Sequence, residues 1–385
     1  MKATLLLMIS IALSSFFFWC GFEAPMESRG EDLPALLEKV RSRYNLPAVA
    51  AACVTSDGIC EVAAAGVRRN DGPEKVCLTD TFHLGSVTQS ITALAIAQCV
   101  HEGLISWNTR PAAMFKELGD RIHPGYGTIT LRSLLHHSAG VPAYTGDEEF
   151  ERAPVSPGTG PERRRAFSIW LLQQPPAAEP GTFLYSNAGY AVATAMAEQA
   201  TGSSWESIVR SKVFEPLGLE SAGFGWPNRD DPHQPWGHGS FSGSDHCWPL
   251  GPDHEWKLND LGAPAGDIHM SIEDLARYVQ HHLRALTGRE TALSADLAAD
   301  LHTPYGSYGL GWFIEGQGKD SRSFHSGSAG TFLTSVEINP SRNMAVAFVC
   351  NARTDGATEA CTIVMTKLML RDPCLPCRFI SETRN

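Results

Sequence analysis

The chain has 385 residues, of which 43% are hydrophobic and 19% charged, so it is long enough to bury a large core in one domain or in two closely packed ones. Its formal net charge is −11, and no run of basic residues occurs anywhere. This charge pattern excludes nucleic acid and an anionic membrane surface as expected partners.

The N-terminus, residues 1–24, has the pattern of a secretory signal peptide. It begins MKATLLLMISIALSSFFFWCGFEAP, with one lysine and then a long apolar stretch. We predict cleavage near Ala24 and an exported protein, either periplasmic or extracellular. The alternative is an uncleaved membrane anchor, because the apolar run is near the short end of spanning length. No later segment looks transmembrane.

Ten cysteines fit an oxidising compartment. Cys53 and Cys60 flank a turn-like stretch between two strand-like runs, which places them within disulfide reach. Near the C-terminus, the CLPC sequence at Cys374 and Cys377 indicates a local disulfide. A zinc site would need two further ligands, and the sequence shows no matching pair, so neither a metal nor a cofactor is predicted.

Helix-like and strand-like patterns follow one another in a definite order. Residues 31–45 predict an amphipathic helix, and residues 47–67 predict a hairpin of two strands. From Gly85 the stretch SVTQSITALAIAQCVHEG is apolar on nearly every face, as is typical of a buried helix, and Gly103 suits its C-terminal end. Further helices are predicted in TLRSLLHHSAG, RRRAFSIWLLQQ, YAVATAMAEQATG, SIEDLARYVQHHLRAL and DGATEACTIVMTKLMLR. Alternating strands are predicted in YGLGWFIEG, RSFHSGSAGTFLTSVEINP and NMAVAFVCNA.

Strands therefore lie at both ends of the chain and helices in the middle, which predicts an α+β fold. The simplest assembly is one antiparallel sheet built from residues 31–84 and 305–370, flanked by helices. Residues 85–304 form a mostly helical lobe within this single 31–370 domain, and residues 371–385 form a tail. A ligand site is expected at the boundary between sheet and lobe.

Three short stretches are candidates for this boundary. Ser86 lies at the start of the buried helix, where free N–H groups and the helix dipole favour developing negative charge. Tyr185 and Asn187 follow a Pro-Gly turn and precede a helix. His325 and Gly327 lie in a strand, where glycine permits close approach of a ligand.

Each of these three signals has an ordinary structural explanation. A serine at a helix start is commonly an N-cap, and the same holds for an asparagine. The tyrosine could be a core residue, and the histidine could be partly exposed beside a strand glycine. The paired histidines at 136–137 and 281–282 are interpreted as structural or surface residues.

Taken together and in this order, the three motifs resemble those of the serine β-lactamase and penicillin-binding protein superfamily. The similarity is to its class C-like branch of D-alanyl-D-alanine carboxypeptidases, D-aminopeptidases and esterases, which carry Ser-x-x-Lys, Tyr-x-Asn and a Lys- or His-x-Gly strand. It covers about residues 31–370. Supporting stretches are ITLRSLLHHSAGVP, PGTFLYSNAGYAVATAMAEQATG, VFEPLGLESAGFG, APAGDIHMSIEDLARYV, YGLGWF and HSGSAGTFLTSVEINPSRNMAVAFVCNA.

The resemblance implies a β-lactamase/transpeptidase-like fold and a role for each motif residue. Ser86 would be the acylated nucleophile, and Tyr185 would shuttle a proton. Asn187 would hold the substrate amide, and His325 would add polarity near Tyr185. The N–H groups of Ser86 and Ser328 would form the oxyanion hole. The substrate would be a small acyl, ester or peptide molecule, including peptidoglycan-derived peptides.

Gln89 departs from the family pattern, because it stands where the Ser-x-x-Lys motif has lysine. Residues i and i+3 share a helix face, so its side chain is expected to reach Ser86 and take part in substrate binding. An amide supplies neither a base nor a positive charge. His325, as a cation, would be the nearest group able to lower the pKa of Tyr185.

Two hypotheses compete: a weakened serine acyl hydrolase of the peptidase or esterase type, and an inactive relative that binds a cell-wall peptide or acyl ligand. An α/β-hydrolase is disfavoured, since G-x-S-x-G is absent from the sequence. Specificity is expected from loops 143–165 and 226–262. The second loop carries four tryptophans that either wall an acyl pocket or pack on one another: Trp226, Trp236, Trp248 and Trp256.

Overall fold

The computed structural model describes residues 31–146, 149–150, 152–154, 156–240, 246–255 and 258–371. The predicted signal peptide, the CLPC sequence and Trp256 lie outside these ranges. In chain order the strands are β1 (Ala48–Val54), β2 (Ile59–Gly66), β3 (Thr81–His83), β4 (Gly223–Phe224), β5 (His238–Ser240), β6 (Cys247–Pro249), β7 (Ile268–Ser271), β8 (Phe313–Glu315), β9 (Arg322–Gly327), β10 (Leu333–Asn339) and β11 (Met344–Cys350).

The main sheet joins the two ends of the chain. It has six antiparallel strands in the order β2-β1-β11-β10-β9-β8, and β1 pairs with β11 from Val49 opposite Cys350 to Val54 opposite Ala345. Strands β1 and β11 are both buried along their whole length. The predicted α+β fold, with N- and C-terminal strands in one antiparallel sheet, is confirmed.

Within the described ranges, seven helices have eight or more residues. They are α1 (Leu33–Arg43), α2 (Thr88–His101), α3 (Gly160–Leu171), α4 (Asn187–Thr201), α5 (Ile272–Leu286), α6 (Ala295–His302) and α7 (Asp355–Met369). Shorter helical segments are Pro111–Met114, Leu131–Leu135, Trp205–Val209, Arg210–Phe214, Glu215–Leu217, Pro227–Asp230 and Ala263–Gly266.

The sheet has helices on both faces because side chains alternate along its strands. Val49 and Phe348 share one apolar cluster with residues of α1 and α7. Ala50 and Val349 face the opposite way, into the larger cluster that contains α2, α4 and α5. The helical lobe thus packs on the face of the sheet opposite α1 and α7.

Two small sheets lie within the central lobe, in the orders β3-β7-β4 and β5-β6. Their strands have two to four residues each and were not predicted. The three-stranded sheet is the important one for the site, because β3 leads directly into Ser86. Among the described helices, none is long and apolar enough to cross a membrane.

The hairpin of β1 and β2 shows the environment of the two cysteines predicted to lie within disulfide reach. Its register pairs Cys53 with Glu61 and shifts between Cys53 and Val54. Cys60 lies 3.8 Å from the Thr55 hydroxyl, measured from its sulfur. A Cys53–Cys60 disulfide remains a prediction. In the part of the chain that the structure describes, no three His, Cys, Asp or Glu side chains form a metal-binding group.

Candidate active site

Ser86 lies in a short 3₁₀ turn, Gly85–Val87, between β3 and α2. Helix α2 begins at Thr88, and neither the turn nor the helix has a side-chain cap, so Ser86 is not an N-cap residue. The first turn of a helix has unpaired N–H groups and the positive end of the helix dipole. Negative charge that develops beside Ser86 is therefore favoured.

Two glycines allow the end of β9 to approach this turn closely. A Cβ atom at Gly327 would lie 2.5 Å from the Ser86 nitrogen, and one at Gly85 would lie 2.7 Å from Cα of Ser328. Gly85 also has a φ of 51°, which disfavours residues with a side chain. The close contact brings the backbone at Ser86 and Ser328 together, as an oxyanion hole made from their two amides requires.

Gln89 is fully buried and uses the whole hydrogen-bonding capacity of its amide. Its Nε2 donates to Tyr185 Oη at 2.6 Å and to Asn187 Oδ1 at 3.1 Å. Its Oε1 accepts from His137 Nε2 at 3.1 Å and from Tyr308 Oη at 3.0 Å. The position of the motif lysine is thus occupied by a neutral group with a partner on every side.

Neighbouring bonds fix the direction of this amide. Asn187 Nδ2 donates to the Tyr144 carbonyl at 3.0 Å, so Asn187 Oδ1 faces Gln89. The Ser186 N–H donates to His137 Nδ1 at 3.1 Å, so the ring proton of His137 lies on Nε2. A donor therefore faces Oε1 and an acceptor faces Nε2. Exchanging the two ends of the Gln89 amide would break both contacts.

Tyr185 connects Ser86 with Gln89. Its phenol accepts a hydrogen bond from Gln89 Nε2 at 2.6 Å, and the Ser86 side chain lies close enough to affect its pKa. Burial raises the pKa of the Tyr185 phenol above its ordinary value, and the neighbouring Ser86 and Gln89 side chains offset only part of this rise. The phenol is therefore protonated at neutral pH and is a poor proton acceptor.

His325 lies on β9 and is fully buried. Its Nδ1 donates to the Ser326 carbonyl at 2.9 Å, and its Nε2 lies 3.1 Å from Tyr308 Oη. Burial lowers the pKa of His325 to about 4. The expectation of a His325 cation acting on Tyr185 is therefore corrected: the imidazole is neutral, and its side-chain partner is Tyr308.

The side chains around Gln89 form a polar cluster of Ser86, His137, Tyr185, Asn187, Tyr308 and His325. The Gln89 amide separates the two halves of this cluster. Ser86 and Tyr185 lie on one side of it, whereas Tyr308 and His325 lie on the other. An amide holds its protons at neutral pH and does not pass them on. Among the described residues, the hydrogen bonds lead from His325 to Tyr185 only through Tyr308 and this amide, so they give His325 no route to the serine proton.

Sequence reasoning missed two residues of this cluster, His137 and Tyr308. The His136–His137 pair was interpreted as structural or surface, yet the His137 ring lies between Tyr185 and Tyr308, with centroid distances of 4.4 and 4.7 Å. His137 has a φ of 56°, which its sequence does not reveal. Tyr308 belongs to the sequence YGLGWF. Gly311 of this sequence packs closely against the α2 backbone at Gln89, so this glycine was the sequence signal that pointed to Tyr308.

A cavity of about 50 Å³ opens in front of Ser86. Both predicted specificity loops contribute to its wall, but Trp226, Trp236 and Trp248 do not. Trp226 is buried elsewhere, stacked on His83. The wall consists of small, apolar and neutral polar residues: Ser86, Tyr144, Thr145, Gly146, Phe150, Asn187, Leu258, Asn259, Gly262, Ala265, Gly266, Ser328 and Ala329.

Comparison with known proteins agrees with this geometry. The family model described as Beta-lactamase matches residues 33–364. Penicillin-binding protein 4 of Amycolatopsis lactamdurans is 23% identical over 333 residues, which cover 82% of this chain and 83% of that protein. Protein flp of Staphylococcus aureus (strain COL) is 21% identical over 329 residues, and the match spans 84% of this chain but only 64% of that protein.

Solved structures show the same architecture. The octameric penicillin-binding protein homologue from Pyrococcus abyssi superposes with a TM-score of 0.70 at 22% identity, over 87% of this chain and 76% of that chain. The fold, the order of the three motifs and the match over most of the chain agree with one another. The chain therefore belongs to the Beta-lactamase family, within the serine β-lactamase and penicillin-binding protein superfamily.

Proposed function

We propose that this protein is a slow serine acyl hydrolase that takes small neutral acyl groups onto Ser86 and holds them as a long-lived ester. The observation that carries the proposal is the neutral cluster around Gln89, next to a serine that keeps its phenol partner. The nucleophile and the backbone approach for oxyanion binding are retained, whereas the positive charge of the family motif is absent.

A balanced acyl transfer is available without a charged group. Ser86 Oγ attacks the carbonyl carbon of an ester, a new C–O bond forms, and the bond to the leaving oxygen breaks. The serine proton passes to Tyr185 Oη, while Tyr185 gives its own proton to the leaving group. The phenol ends the step as it began, so no base with a pKa near 7 is required.

This route is slow because the phenol is a poor proton acceptor. A well-placed general base contributes about 10²–10⁴ in rate, and that contribution is missing here. An oxyanion-hole donor is worth about 10²–10³, which supports measurable acylation above background. Attack of water on the acyl-serine needs the same proton transfer, so the ester is also lost slowly.

The cavity favours a small and uncharged acyl group. At about 10–15 Å³ for each water molecule, its volume of about 50 Å³ has room for a few waters, which is comparable to a short acyl chain. None of the described residues in its wall carries a charged side chain, so none of them would supply a counter-ion to a carboxylate buried there. Acetyl and propionyl esters fit this description.

A second candidate function is reversible binding of an acyl or cell-wall peptide ligand without chemistry. It is favoured by the protonated Tyr185 and by the complete hydrogen bonding of Gln89, which leave no group that takes a proton readily. The name of the relative Penicillin-binding protein 4 supports a ligand of this class. The two functions differ in whether Ser86 forms a covalent bond.

Incubation with p-nitrophenyl acetate is expected to acetylate wild-type protein at Ser86 over minutes to hours. Intact-protein mass spectrometry should show one acetyl group, and Ser86→Ala should show none. An analogous ester with a carboxylate on the acyl chain should react more slowly than the acetate. If wild type gains no more mass than Ser86→Ala does throughout the incubation, reversible binding is left as the function.

A further inference from the structure

A buried imidazole–carboxylate pair lies next to the Ser86 turn but outside the polar cluster around Gln89. His83 is the last residue of β3 and is fully buried. Its Nε2 lies 3.0 Å from Oδ1 of Asp267, the residue just before β7. The Asp267 side chain is 19% exposed. Neither residue belongs to the three motifs.

The backbone of Gly85 fixes the state of this histidine. The Gly85 N–H donates to His83 Nδ1 at 3.2 Å, so Nδ1 carries no proton in this arrangement. The ring proton therefore lies on Nε2 and is donated to the Asp267 carboxylate, which makes the bond charge-assisted. A single imidazole thus connects Asp267 to the amide immediately before Ser86.

The imidazole has little freedom to turn. Its ring stacks on the Trp226 indole with centroids 5.0 Å apart and planes 15° apart. Trp226 Nε1 is itself anchored on the Thr331 hydroxyl at 2.9 Å. The carbonyl of His83 accepts a hydrogen bond from the Thr334 hydroxyl on β10 at 3.2 Å. The pair is therefore held from two sides.

We propose that Asp267 and His83 are positioning residues that hold the left-handed Gly85 turn, and through it the Ser86 N–H, beside the Ser328 N–H. This inference rests on the proposed function, since it concerns the oxyanion hole of that site. Gly85 packs against Gly327 and Ser328, so a small rotation of its peptide moves the Ser86 amide relative to its partner. Misplacement by about 1 Å costs up to roughly 10² in stabilisation of the reacting state.

The test uses ethylboronic acid, whose boron bonds to Ser86 Oγ and becomes tetrahedral, with an oxygen in the oxyanion hole. Isothermal titration calorimetry of the full chain measures its affinity. Asp267→Ala is expected to weaken binding by roughly 10- to 100-fold. Asp267→Asn keeps an acceptor for His83 Nε2, so this variant should lose less affinity for the boronic acid than Asp267→Ala does.

A matched control is His269→Ala, because His269 lies opposite His83 in the same small sheet and bonds to the Gly225 carbonyl instead. The His269→Ala variant should lower the melting temperature as much as Asp267→Ala does. Its affinity for the boronic acid should equal that of wild type. If Asp267→Ala binds the boronic acid with wild-type affinity, the positioning role of Asp267 and His83 is overturned and the proposed function is not. A wild type that binds no boronic acid would overturn the proposed function together with it.

Discussion

Replacing Gln89 with lysine is expected to accelerate acetylation of Ser86 by about 10²–10⁴-fold, the usual contribution of a general base. The ammonium would take the place of Nε2, which lies 2.6 Å from Tyr185 Oη. A cation at this distance stabilises the phenolate and lowers the pKa of Tyr185. Stopped-flow release of p-nitrophenol from p-nitrophenyl acetate measures the rate.

The same substitution should reduce the free energy of unfolding. Lysine has no acceptor for the His137 Nε2–H, whose direction is fixed by the bond from Ser186 to Nδ1. A buried donor left without a partner costs about 1–3 kcal/mol. Tyr308 loses less, because its hydroxyl can turn to His325 Nε2, 3.1 Å away.

Gln89→Met is the matched control, since methionine has a similar length but no charge and no hydrogen bonds. It should destabilise the protein and leave acetylation no faster than in wild type. Chemical denaturation and the same p-nitrophenol assay distinguish the two variants. If Gln89→Lys folds and reacts no faster than Gln89→Met, the missing charge is not what limits the site.

Gly327→Ala is expected to reduce acetylation of Ser86 by up to about 10²-fold, the cost of a displacement of the order of 1 Å. The added methyl group would lie 2.5 Å from the Ser86 nitrogen and 2.7 Å from the Val87 nitrogen. Because both contacts are backbone, β9 or the Ser86 turn must move. Overpacking of this kind also costs about 1–3 kcal/mol of stability.

Gly58→Ala is the control, because no atom lies within 4 Å of a Cβ placed there. Its melting temperature and acetylation rate should stay near those of wild type. Labelling by p-nitrophenyl acetate, followed by mass spectrometry, compares the two variants. Acetylation of Gly327→Ala at the wild-type rate would contradict the role assigned to the close approach of β9 to the Ser86 turn.

The fold could be predicted because its main elements are long and regular. The alternating strands after residue 305 and the hairpin at 47–67 indicate one sheet from both chain ends, and the structure has β1 beside β11. Helix α6 and the strands β3 to β7 are short, so they carry little periodicity. They form because the surrounding loops bring them together, which the local sequence does not show.

The candidate site was only partly predictable. The resemblance of the three motifs to the family indicated Ser86, Gln89, Tyr185 and Asn187, and hydrogen bonds connect Gln89 with Tyr185 and Asn187. The state of His325 depends mainly on its burial, which the local sequence does not give. A charged histidine was therefore expected where the structure has a neutral one.

The polar cluster around Gln89 is uncharged throughout the neutral pH range. His325, with a pKa near 4, gains a proton only in acid, and burial lowers the pKa of His137 as well. The pKa of Tyr185 is raised, so this phenol loses its proton only above its ordinary range. Between about pH 6 and 9, none of these three groups changes charge.

The most direct test is therefore the pH dependence of Ser86 acetylation in wild-type protein, measured by mass spectrometry and corrected with Ser86→Ala. The logarithm of the rate should not change between about pH 6 and 9, because the proton transfer through Tyr185 consumes no hydroxide and none of these three groups titrates in this range. A sigmoidal or bell-shaped curve with a midpoint in this range would contradict the account, because it would reveal a titrating base beside Ser86.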